Sequence, residues 1–164
     1  KKSYLISRKR KPKIMTTSNR FENAINKLYL AFQNNTLNPE DCKQCAVGNI
    51  LDNKGSWKHL TDLHGSVRLN YLGLVHQNLG RKFNGYSPLD LLTIEASFLK
   101  GCGYRLGKNY CHKPDNTKDK DILFHGLCEV VSTLCALDCI DNVMNCFVFF
   151  EHKKPNSSYK MQIL

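Results

Sequence analysis

The chain has 164 residues, 41% of them hydrophobic and 23% charged, with eight cysteines and a formal net charge of +10. That balance excludes a disordered polymer, and the length is that of one domain able to bury about two-thirds of its unfolded surface. No apolar run approaches the roughly eighteen residues that a membrane span requires; the longest, Cys146 to Phe150, has five.

The charge is unevenly placed. Lys1, Lys2, Arg8, Lys9, Arg10, Lys11 and Lys13 are seven of the 24 cations and have no acid among them, which leaves 17 cations against 14 acids, or +3, for residues 14–164. A basic tail of this kind suits nucleic-acid phosphates or another anionic surface, through charge and not through shape. Met15-Thr16-Thr17-Ser18 reads as a start in its own right, so residues 1–14 are set apart from the body of the protein.

Thr17 or Ser18 can cap a first helix over about 19–34, with Phe21, Ala24, Ile25, Leu28 and Phe32 as its apolar stripe. Asn38-Pro39-Glu40-Asp41 predicts the start of a second helix, which would place Cys42 and Cys45 in its first turns. Unpaired N–H groups at a helix start stabilise a thiolate, so both thiols are expected to be acidified there. Gly48 weakens this helix slightly, and Asp52-Asn53-Lys54-Gly55-Ser56 ends it. A short element around Trp57, Leu60 and His64 stops at Gly65, and Val67, Leu69, Leu72, Val75, His76 and Leu79 predict a third amphipathic helix over 67–80.

Ser87-Pro88 opens the clearest helix, with Leu89, Leu92, Ile94, Ala96, Phe98 and Leu99 before Gly101 and Gly103. Residues 104–118 read as a polar surface loop. A long helix follows from Asp119, apolar at Ile122, Leu123, Leu127, Val130, Val131, Leu134 and Leu137. Asp141 can cap a last segment over 142–151 containing Phe147, Phe149 and Phe150. The pattern predicts one all-α domain over 15–151, a bundle of five or six helices, followed by a polar C-terminal tail at 152–164.

The spacing Cys42-x2-Cys45-x13-His59-x4-His64 is that of a zinc site, since two thiols and two imidazoles at such distances supply a tetrahedral ligand set. On a regular helix His59 and His64 would stand about 140° apart, so convergence needs the chain to curl after Asp62. Cys102, Cys111 and His112 are substitutes should either histidine face away. Free structural thiols and a redox Cys-x-x-Cys pair are the rival readings, although no βαβ pattern surrounds the pair. Cys128, Cys135, Cys139 and Cys146 read as core thiols among leucines and valines. There is no signal segment, Walker loop, nucleophile motif or carboxylate pair, so the reading is a cytoplasmic binding or accessory protein for an unidentified protein partner, with zinc at Cys42, Cys45, His59 and His64.

Asn19-Arg20-Phe21-Glu22-Asn23-Ala24, Asp41 through Leu51, and Gly80-Arg81-Lys82-Phe83-Asn84-Gly85-Tyr86 resemble a family of small bacterial proteins over Met15 to about Glu151. That family is often identified with the ferredoxin-like flavoprotein component of the sodium-translocating NADH:quinone reductase. The resemblance implies an electron-transfer accessory in which Cys42 and Cys45 cycle between dithiol and disulfide or help to hold an iron–sulfur cluster. A ferredoxin joined to a flavin reductase needs four cluster cysteines and nucleotide loops, whereas only the Cys42 and Cys45 pair matches here.

Overall fold

The computed structural model describes residues 17–107 and 111–141. The basic tail, the segment at 142–151 with Cys146, and the tail at 152–164 lie outside the described residues. Within them the protein is mostly helical: α1 (Asn19–Gln33), α2 (Ala46–Ile50), α3 (Tyr71–Asn78), α4 (Pro88–Gly101) and α5 (Lys120–Leu137), with a 3-10 turn at Ser56–His59. The stretch expected to be wholly irregular contains a two-stranded antiparallel sheet, β1 (Arg105–Leu106) against β2 (Cys111–His112). Strands of two residues leave no period-2 alternation to read, which is why the sequence does not announce them.

Local chemistry fixes the three long helices. Ser18 Oγ accepts the Phe21 N–H at the start of α1, and the expected stripe Phe21, Ala24, Ile25, Leu28 and Phe32 is buried. At α4 Ser87 and Asp90 form a reciprocal capping box with Pro88 in the first turn. Asp119 caps α5 by accepting from the N–H groups of Asp121 and Ile122. Helices α4 and α5 approach at two glycines: a Cβ on Gly101 would lie 2.8 Å from Gly126 Cα. Around that crossing Leu91, Ile94, Phe98, Leu127, Val130, Val131 and Leu134 join one connected core with the stripe of α1.

Two expected helices differ from their sequence pattern. The second begins at Ala46 and not at Pro39, because Asn38 Oδ1 accepts the Glu40 N–H and Asp41 Oδ1 accepts the Lys43 N–H. Those side-chain bonds hold residues 38–44 in local turns that compete with a helix. The third is shorter than 67–80 and faces the other way: of its residues only Gly73 is buried, while Leu72 and Leu79 are exposed. Gly73 decides this, since a Cβ there would stand 2.5 Å from the Leu60 carbonyl oxygen and 3.0 Å from Leu69 Cβ. Helix α3 therefore sits down on its glycine, with the leucines turned away from the core.

Candidate thiol and histidine site

The 38–45 turn, the 60–66 loop, the start of α2 and the inner face of α4 meet in one place. Cys42 lies in the turn and is half-buried, and its Sγ is 3.4 Å from His64 Nδ1. The other ring nitrogen, Nε2, is 2.6 Å from the Pro39 carbonyl oxygen. A carbonyl only accepts, so Nε2 carries the hydrogen and in the neutral ring Nδ1 is the acceptor for the Cys42 thiol. The imidazole is thus held by the backbone with its basic nitrogen toward sulfur.

Cys45 is fully buried and forms the N-cap of α2, its Sγ accepting the Gly48 N–H at 3.3 Å. The turn lies directly on α2: a Cβ on Gly48 would stand 2.5 Å from the Lys43 carbonyl carbon and 2.6 Å from its oxygen. Gly48 is therefore required by this close approach, and the sequence reading of it as a weak helix residue missed that role.

Behind the thiols stands Glu95, a residue of α4 only 2% exposed. Its Oε2 accepts the Val47 N–H at 3.1 Å, while Oε1 lies 4.0 Å from His64 Nε2 and accepts no hydrogen bond from the described residues. Burial pushes the Glu95 carboxyl above its ordinary range, outweighing the pull of His64, the Val47 N–H and Cys45. The same burial, helped by the Glu95 charge, pushes Cys45 far up, and it raises Cys42 together with Glu95 and Asp41. Acidified thiols were the expectation; desolvation overrides the single N–H that reaches Cys45.

Of the residues expected to bind metal, the structure brings Cys42, Cys45 and His64 together and leaves His59 outside. His59 is exposed, and its contact is a backbone carbonyl accepting from Asn70 Nδ2 at 2.9 Å. Among the described residues no group of three or more His, Cys, Asp or Glu is arranged to hold a metal ion. Cys102 is buried near Glu95 and pushed up to about 12 by burial, while Cys111 and His112 are exposed on β2, with Cys111 Sγ against Gly65 beside His64. Cys135 is buried as expected; Cys128 is half-buried, and Cys139 is exposed beyond α5.

Sequence reasoning missed Glu95, although a signal was present. A carboxylate four residues after Leu91 and three before Phe98 lies in phase with a buried stripe. No protein-family model, no curated protein and no solved structure matches this chain.

Proposed function

We propose that the protein carries out thiol–disulfide exchange, with Cys42 as the attacking thiol, His64 as its base and Cys45 as the resolving thiol. The observation that carries this reading is the 3.4 Å contact of Cys42 Sγ with His64 Nδ1, in a ring fixed by Pro39. A nucleophile within reach of a base that is itself oriented by a third group is the common arrangement for activating a weak nucleophile. The raised Cys42 thiol rests protonated and passes its proton to His64 as it attacks. A more basic thiol is also the stronger intrinsic nucleophile once deprotonated.

The steps balance with a substrate disulfide as oxidant. Cys42 sulfur bonds to one substrate sulfur, the substrate S–S bond breaks, and its electron pair leaves on the first thiolate while His64 holds the proton. Cys45 sulfur then displaces the second substrate sulfur, forming the Cys42–Cys45 disulfide and releasing the second thiolate, and its proton goes to the adjacent Glu95 carboxylate. Two protein thiols are oxidised and one disulfide is reduced to two thiols. The backbone supports closure, because the Cys45 N–H bonds to the Asp41 carbonyl at 2.7 Å and folds the intervening residues into one turn.

Mass spectrometry after addition of glutathione disulfide tests the reading. Cys45→Ser is expected to trap glutathione on Cys42, whereas the wild type resolves to a Cys42–Cys45 disulfide without an adduct. His64→Ala is expected to slow the first step at pH 7 by about tenfold or more. The reading is overturned if Cys42 reacts no faster than exposed Cys139. It is also overturned if purified protein holds zinc or iron through Cys42 and Cys45, zinc supporting the structural-metal reading and iron the cluster reading.

A further inference from the structure

Helix α3 has its polarity inside out. At about 100° per residue, Gly73 points at the core and Tyr71, Val75 and Asn78 occupy the opposite side, with Leu72, Leu74 and Leu79 toward the flanks. Tyr71 is 83% exposed and Leu79 63%, and Leu72, Leu74 and neighbouring Leu89 are exposed too. Leu89 is tied to this helix by its N–H, which donates to Gln77 Oε1 at 3.0 Å. Val75 is half-buried, as are the polar His76 and Gln77 on the inner side.

The stretch of chain that forms the face carries charge of one sign. Arg68, Arg81 and Lys82 are exposed beside it, and the sequence from Leu63 to Leu89 contains neither Asp nor Glu. A second copy of this chain would bring cations against cations. A helix of eight residues is about 12 Å long, short for the roughly 800 Å² per partner that a stable protein interface uses. Exposed Tyr71 and leucines, with cations before and after them in the chain, fit a flat anionic medium into which side chains can sink.

We infer that α3 docks this protein onto anionic lipid surfaces, with Tyr71, Leu72, Leu74, Val75 and Leu79 entering the headgroup boundary and Arg68, Arg81 and Lys82 meeting lipid phosphates. The seven cations of residues 1–13 supply the second, electrostatic signal that stable peripheral attachment requires. No helix among the described residues is long and apolar enough to cross a membrane.

The test is sedimentation of the full chain with vesicles of phosphatidylcholine alone and of phosphatidylcholine with phosphatidylserine, combined with fluorescence of Tyr71→Trp. Trp57 is buried and gives a constant background. The expected result is binding to the anionic vesicles only, weakened by salt, with a blue shift of the new tryptophan. Leu72→Ser with Leu79→Ser is expected to lower that binding about tenfold or more without changing the circular dichroism or the melting temperature. Undiminished binding by the double variant would assign adhesion to the basic residues alone and overturn the inference. So would an unshifted tryptophan on bound vesicles, concentration-dependent dimers lost in the double variant, or a melting temperature lowered as by a core substitution, which would mean that the chain's own residues cover the face.

Discussion

The Glu95 carboxylate of α4 accepts the Val47 N–H at 3.1 Å, so a buried acid caps the first turn of a helix through a residue 48 positions earlier in the chain. This contact ties α2 to α4 and places a charge-bearing group behind both thiols. Glu95→Ala should cost about 2 kcal/mol or more, because it leaves a buried N–H unpaired and a void beside it. Glu95→Gln keeps an acceptor and should behave differently with pH. Burial raises the folded-state pKa, so the glutamate's advantage over glutamine is complete below its unfolded pKa and is lost as pH rises through the higher folded value. Urea unfolding across that window is therefore expected to show Glu95→Gln gaining on the wild type with rising pH. A wild type that gained instead would mean that attraction to His64 outweighs burial.

The thiols should divide by access when the native protein is alkylated with iodoacetamide. Cys42, Cys111 and Cys139 are reachable, whereas Cys45, Cys102 and Cys135 are buried, and the first two of these are held protonated as well. Peptide mapping is expected to find the first group modified and the second protected until denaturant is added. Cys42 should react faster than Cys139, and His64→Ala should remove that lead. Early labelling of Cys45 would show that the 38–45 turn opens under native conditions.

What the sequence conveyed well was local. Ser18, the Ser87-Pro88 start and Asp119 each cap the helix that their position implies, and the α1 stripe is the buried one, because caps and periodicity act over a few residues. The departures come from backbone meeting backbone over long separations. Nothing in residues 67–80 states that Leu60 lies over Gly73, yet that approach turns the leucines of α3 outward. Likewise Cys42 and His64 were legible as residue types, but the alignment of their ring and thiol depends on the Pro39 carbonyl, which has no sequence signature. The expected bundle also loses definition at α2, which has only five residues.

Arg20 joins three parts of the chain and should be a stability determinant away from the thiols. Its Nε donates to Asp138 Oδ1 at 2.6 Å, Nη1 to the Gly85 carbonyl at 2.8 Å and Nη2 to the Leu137 carbonyl at 3.1 Å, with the guanidinium over the Tyr86 ring. The Asp138 side chain is 6% exposed and keeps the Ser18 hydroxyl as a partner when Arg20 is removed. Arg20→Ala should therefore cost about 3 kcal/mol, read as a shift of the urea midpoint. Arg20→Lys keeps the charge without the planar fork and should fall between the two. Loss of less than half that amount in the alanine variant would mean that solvent takes over the freed carboxylate.

Gly48 is the test of how the site is held. An alanine in α2 would ordinarily add about 1 kcal/mol of helix stability. Here its Cβ would meet the Lys43 backbone at 2.5 and 2.6 Å, and backbone yields less readily than the end of a side chain. Overpacking of this kind costs about 1 to 3 kcal/mol, so Gly48→Ala is expected to destabilise despite the gain in propensity. The 38–44 turn is the part that can move, and Cys42 moves with it away from His64. Alkylation kinetics should then show Cys42 slowed in Gly48→Ala, while Cys139 reacts unchanged. A stabilised variant with wild-type Cys42 kinetics would show that the turn does not rest on α2 through this glycine.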